Sequence, residues 1–175
     1  MRRLGILLIA LALVPACDDD NNGNPAGPSN SGPLVFLANL TAANEVPPVT
    51  NAESNGRGTA TITITVPRDN AGNPTGSGTA TFALQLSSFP PGTVAVAAHI
   101  HPGAAGVNGS PLVNTNLSAA APLVMADGSG NLTISNITVT QDVATQIMAN
   151  PAAFYFNVHT PLNPGGAIRG QLARQ

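Results

Sequence analysis

The sequence predicts an all-β domain, an antiparallel two-sheet sandwich or flattened barrel with Greek-key connections, preceded by a leader that lies outside the fold. Three observations predict it. After residue 33 apolar and polar residues alternate with period two, the alternating runs are short and bounded by Gly, Pro, Asn and Asp, and one stretch alone carries helical signals.

Residues 34–41 form the first predicted strand. In 58–66, Thr59, Thr61, Thr63 and Thr65 fall on one face while Ala60, Ile62, Ile64 and Val66 fall on the other, the pattern of a half-buried antiparallel strand. Residues 79–86 repeat that pattern after a turn rich in Asn, Gly and Pro, so the two runs predict a hairpin with a loop of about ten residues. Further strands are predicted over 93–101, 122–125, 132–138, 153–160 and 167–173. The predicted helix covers 141–149, with Thr140 positioned to cap it, Asp142 in its first turn and Asn150-Pro151 to end it.

The N-terminus predicts the compartment. Arg2 and Arg3 precede an apolar run from Leu4 to Val14, which is shorter than the roughly 20 residues a membrane-spanning helix needs and has the layout of a secretory signal. Val14-Pro-Ala-Cys17 resembles the bacterial lipobox, whose cysteine is acylated and becomes the mature N-terminus. Cys17 is the chain's one cysteine, so lipidation also accounts for a thiol that has no disulfide partner. Residues 1–16 are therefore expected to be a signal peptide. Residues 17–33 follow as the lipidated cysteine and a disordered tether of Asp, Asn, Gly, Pro and Ser with no apolar surface to bury, and 34–175 as the folded domain. The expected location is the bacterial cell envelope, outside the cytoplasm, with the membrane as partner through the lipid.

Charge narrows the partners. All six basic residues are arginine, and two of them belong to the leader. The remaining four face eight acids, three of which are Asp18, Asp19 and Asp20 of the tether, so the folded part is nearly neutral. No basic patch exists to meet a phosphate backbone, and nucleic acid is not an expected partner.

Strand parity places the three histidines. In 93–101 the core-facing set is Val94, Val96, Ala98 and Ile100, which puts His99 and His101 on the opposite face; in 153–160 the phenylalanines and Val158 take the core and leave His159 with Tyr155 and Asn157. If the two strands are neighbours, the rings can converge on one copper or zinc ion. The competing reading has the histidines hydrogen-bonding strand ends and the loop 102–110. Glu45 and Arg169 are the other pair of interest, because each is a charge inside an apolar motif and is costly to bury unpaired. They are expected to form a polar clasp, meeting one another or satisfying loop carbonyls. An anion site around Arg169 and Gly165-Gly166 is the functional alternative. No catalytic residue is identified: Ser110 sits in an Asn-Gly-Ser-Pro turn, Asp127-Gly-Ser-Gly130 has too few acids for calcium, and no paired carboxylates occur.

Three segments, Asn44-Glu-Val-Pro-Pro48, Ala98-His-Ile-His101 and Asn157-Val-His-Thr-Pro-Leu-Asn-Pro-Gly-Gly-Ala-Ile-Arg-Gly-Gln-Leu172, resemble in order those of the CHRD domain, a module first recognised in chordin and widespread in bacterial secreted proteins. The resemblance spans about residues 34 to 172 and implies an immunoglobulin-like or superoxide-dismutase-like β-sandwich. It implies a non-enzymatic binding or surface-architecture module, with an extracellular protein among the expected partners. The alternative is a metal-binding or redox protein using His99, His101 and His159; its His-x-His strand is similar to that of copper–zinc superoxide dismutase, without the further histidines and the disulfide of that enzyme.

Overall fold

A computed structural model describes residues 32–175. Cys17, the leader and nearly all of the tether lie outside the described residues. Ten strands follow in order: β1 (Leu34–Thr41), β2 (Arg57–Thr65), β3 (Gly78–Ser87), β4 (Thr93–Ala95), β5 (Ala97–Pro102), β6 (Val113–Asn114), β7 (Leu123–Met125), β8 (Gly130–Val139), β9 (Phe154–His159) and β10 (Ile168–Arg174). The helix α1 (Gln141–Ala149) lies between β8 and β9. Its cap is the expected one: the Thr140 side chain accepts from the Val143 amide at 3.3 Å, with Asp142 in the first turn.

Every strand pairing is antiparallel. Eight strands form one continuous sheet in the order β6-β5-β9-β10-β1-β2-β3-β8, and β4 pairs with β7 in a two-stranded ribbon. The hydrogen bonding thus differs from the two-sheet division expected from the sequence. The first and last strands, β1 and β10, are neighbours, and that pairing joins what would otherwise be separate sheets. The large sheet curls until it is nearly closed. Thr115 and Leu117 beyond β6 line one cleft together with Leu132, Ile134 and Ile137 of β8, so its two ends approach each other. Across the interior, Phe82 of β3 stacks on Phe156 of β9 with centroids 5.7 Å apart, although three strands separate them in the sheet.

The parity argument locates the core. Ala60, Ile62 and Ile64 of β2, Phe82 and Leu84 of β3, and Ala98, Ile100, Phe156 and Val158 are all buried on the inner face, while Thr59, Thr61 and Thr63 remain partly exposed. One strand expected over 93–101 breaks at Val96, and before the break the expected facing is reversed: Ala95 is buried, whereas Val94 and Val96 are only partly buried. β4 belongs to the ribbon, the Val96 amide then donates to the His159 carbonyl at 2.9 Å, and β5 continues in the large sheet. Such a switch turns a corner between layers. It leaves the outer face of β5, β9 and β10 covered by two loops, 42–56 and 103–112, rather than by another sheet.

A three-histidine cluster on the covered outer face

Register fixes the layout of this face. His99 of β5 lies opposite Asn157 of β9, which lies opposite Arg169 of β10; in the next row His101 faces Tyr155, which faces Gln171; His159 pairs with Ala97. Because alternate residues share a face, the short sequence His-x-His and the distant His159 meet on two adjacent strands. One nitrogen from each ring lies within 4.8 Å of both others. His99 Nδ1 and His159 Nε2 are 3.1 Å apart.

Loop carbonyls set the protons on two of the rings. His101 Nδ1 lies 2.9 Å from the Gly109 carbonyl and His159 Nδ1 lies 3.0 Å from the Pro164 carbonyl. A carbonyl can only accept, so both Nδ1 atoms carry hydrogen and both Nε2 atoms carry bare lone pairs. His159 Nε2 directs its lone pair to His99. His101 Nε2 is buried and has no partner, in a residue only 5% exposed.

Tyr155 holds His101 in place. The two rings are stacked, 4.8 Å between centroids and 5° between planes, and the Tyr155 hydroxyl accepts from the Gly109 amide at 3.2 Å. Gly109 therefore grips both rings. A Cβ at this glycine would lie 1.8 Å from the Pro102 carbonyl, so the close approach requires its absence. The Arg169 guanidinium also sits over the Tyr155 ring, 4.5 Å from its centroid.

Burial keeps the cluster neutral. It is the main cause of a His99 pKa pushed down to about 4, with His159 and His101 adding repulsion. Burial likewise lowers His101, opposed by the Gly109 hydrogen bond and reinforced by Arg169, and lowers His159, opposed by the Pro164 hydrogen bond.

Arg169 and Glu45 occupy the adjoining ground. The Arg169 side chain, 1% exposed, donates through Nε to the Asn44 carbonyl at 2.6 Å and through Nη1 to Asn108 Oδ1 at 2.7 Å and the Val107 carbonyl at 3.4 Å. Its Nη2 has no partner, nor does Asn157 Oδ1. Glu45, 5% exposed, accepts from Asn157 Nδ2 at 3.2 and 3.3 Å. Burial pushes its pKa up to about 7 despite Arg169 and Asn157, which both favour the ionised form. Gly166 completes this packing, because a Cβ there would lie 2.5 Å from Glu45 Oε2. Gly165 and Gly166 line a cleft with Glu45, Pro47 and Leu162.

One buried acid escaped the sequence reading. Glu53, 4% exposed, accepts from the Thr160 hydroxyl and from Asn163 Nδ2, both at 2.6 Å. It lies in a polar stretch whose alternation carries no sign of burial; its partners are more than 100 residues away.

A family model of the CHRD domain matches residues 36–172. The chain belongs to the CHRD family. All three histidines, Glu45 and Arg169 fall within the matched part of this CHRD domain. No curated protein and no solved structure gives a significant match.

Proposed function

We propose that this CHRD domain is a metal-binding module of the cell envelope, holding copper or zinc through His99, His101 and His159. The observation that carries this reading is His101 Nε2, a buried lone pair whose tautomer is fixed by a loop carbonyl and which no protein group uses. A buried polar atom without a partner costs about 1–3 kcal/mol, and a metal ion removes that cost. A backbone carbonyl on the opposite ring nitrogen is the usual outer support of a metal-binding histidine.

The chemistry follows from the rings. At about 2.0–2.1 Å from one ion, tetrahedral nitrogens sit roughly 3.3 Å apart, and His99 and His159 already stand near that separation. His101 would close on them from a position in which its ligand nitrogen lies within 4.8 Å of both. His99 moves its proton from Nδ1 to Nε2, so that three lone pairs face one point. All three rings are neutral at neutral pH, and binding there displaces no proton from an imidazolium. Three nitrogen ligands leave a coordination position for an external ligand, which suits a binding role.

The remaining parts of the proposal concern placement. Residues 1–16 act as signal peptide, Cys17 carries the lipid, and residues 18–33 tether the domain, which acts as a non-enzymatic binding or surface-architecture module toward an extracellular protein. The curled antiparallel sheet is read as a joined-up form of the Greek-key sandwich, immunoglobulin-like or superoxide-dismutase-like, that the family resemblance implies, a reading supported by its nearly closed shape. Cys17→Ser should move the protein from the membrane to the soluble extracytoplasmic fraction; unchanged fractionation would refute the anchor. For the metal, the full chain purified without a polyhistidine tag should take up one equivalent of zinc or copper by calorimetry, and His101→Ala should abolish it. Equal uptake by wild type and variant would refute the site.

A further inference from the structure

We infer that the metal site is mechanically coupled to two surface loops, 103–112 and 160–166, so that occupancy is transmitted to the surface as loop order. This inference rests on the metal reading and adds a regulation to it. Its basis is the pair of carbonyls that set the ligand tautomers: Gly109 belongs to the first loop and Pro164 to the second. Neither loop contains a strand or helix, so each is held by a small set of bonds.

The first loop is tied at several points besides His101, among them the Val107 carbonyl, which accepts from Arg169, and the Gly103 and Leu112 amides, which donate to the Ala153 and Ile100 carbonyls. The Gly109 amide donates to the Tyr155 hydroxyl, Asn108 Nδ2 donates to the Val46 carbonyl at 2.9 Å, and Asn108 Oδ1 accepts from Arg169. Asn108 thereby links the loop to its neighbour 42–56 and to β10. The second loop is tied to Glu53 by the Asn163 side chain and the Thr160 hydroxyl and to Asn51 by Asn163 Oδ1, while its Asn163 and Gly166 amides close turns within the loop on the Thr160 and Asn163 carbonyls at 3.2 and 3.1 Å.

A metal ion withdraws electron density from an imidazole and makes its remaining N–H a stronger donor. Each ligand then pulls harder on its loop carbonyl. Linkage makes the effect reciprocal: whatever factor by which metal stabilises the closed loops, closed loops strengthen metal binding by the same factor. The loops carry Val107, Leu112 and Leu162, three of the four large apolar side chains exposed among the described residues. Occupancy therefore controls how rigidly the main apolar features of this surface are presented.

The test combines zinc calorimetry with amide hydrogen exchange on the full-length chain. Zinc should slow exchange across 103–112 and 160–166 and leave the hairpin loop 67–77, which touches no histidine, unchanged. Asn108→Ala, which removes the strap without touching a ligand or its carbonyl, should weaken zinc binding by about fivefold or more. Tyr155→Phe, which keeps the stack on His101 and loses the hydroxyl, should shift affinity in the same direction. Zinc binding with unchanged exchange in both loops, or Asn108→Ala binding as tightly as wild type, would overturn the coupling and leave the metal site standing. No zinc binding at all would overturn both.

Discussion

Two buried polar clusters flank the end of β9, and they are wired in opposite ways. Around Glu53 the carboxylate accepts hydrogen bonds from the Thr160 hydroxyl and the Asn163 side-chain amide, and the Glu53 backbone amide donates to Asn51 Oδ1. Around His99, His101 and His159 the outward nitrogens of two rings are fixed by loop carbonyls while the inward nitrogens face one another, one of them unused. The first cluster is complete in itself. The second leaves one buried nitrogen, His101 Nε2, without a partner. A saturated network of this kind stabilises the fold, whereas an oriented lone pair left over in a buried site is the feature on which the metal proposal rests.

That contrast predicts a ladder of effects. The largest belongs to Arg169, which fastens the loops 42–56 and 103–112 to β10. Arg169→Ala should cost about 3–5 kcal/mol in urea unfolding, since it strands buried acceptors and opens a cavity. Arg169→Lys should restore only part, lacking the fork that reaches Asn44 and Asn108 together. A loss under about 1 kcal/mol would show that the loops are held otherwise.

Next comes the saturated cluster. Glu53→Ala leaves the Thr160 and Asn163 donors without their acceptor and should lower stability by about 2–4 kcal/mol, with zinc affinity reduced only through loop 160–166. If Glu53→Ala abolished zinc uptake in protein that remained folded, the division between the two clusters would be wrong.

The acid–base groups sharpen the comparison. Glu45 has a folded pKa near 7, above its ordinary 4.5, so its contribution to stability is fully present below pH 4.5 and is lost as pH rises toward 7. The loss approaches about 3 kcal/mol. The histidines run the other way. Their folded pKa values lie below 6.5, His99 near 4, so their contribution is present above pH 6.5 and lost as pH falls toward 4. In metal-free protein the two slopes oppose each other between about pH 4.5 and 6.5. Glu45→Gln removes one of them, and the stability of that variant should rise with pH up to about 6.5 and then level. A flat profile for Glu45→Gln would mean that the histidines are not held neutral by burial.

The smallest expected change in stability is at His101 itself. His101→Phe keeps the stack on Tyr155, loses one hydrogen bond to Gly109 and removes the unused nitrogen, so metal-free stability should move by no more than about 1 kcal/mol. A conventional core histidine would cost more.

Much of this was legible in the sequence because parity is a strong signal. The faces of β2 and β3, the helix with its Thr140 cap, and the assignment of His99, His101 and His159 to the non-core face all follow from alternation or capping chemistry. The break at Val96 was not legible, because Val94, Val96, Ala98 and Ile100 alternate without interruption and only the tertiary pairing of β4 with β7 divides them. The continuous sheet was not legible either, since it depends on β1 lying beside β10. Glu45 and Arg169 stood out as charges in apolar motifs, and in the structure Arg169 rests on the Asn44 and Val107 carbonyls while Glu45 turns to Asn157. What alternation cannot encode is the direction of a loop carbonyl. Gly109 and Pro164 fix which nitrogens of His101 and His159 face inward, where that of His159 meets His99 and that of His101 has no partner.

The most direct test of the metal site is zinc and copper titration of the untagged full-length protein beside His101→Phe, with nitrogen-15 spectra of the imidazoles recorded at neutral pH. A three-histidine metal site predicts one equivalent bound by wild type and none by the variant. On loading, His99 should change from the Nδ1–H to the Nε2–H tautomer while His101 and His159 stay Nδ1–H. No uptake by wild type, or uptake that leaves the three imidazole spectra unchanged, would contradict it.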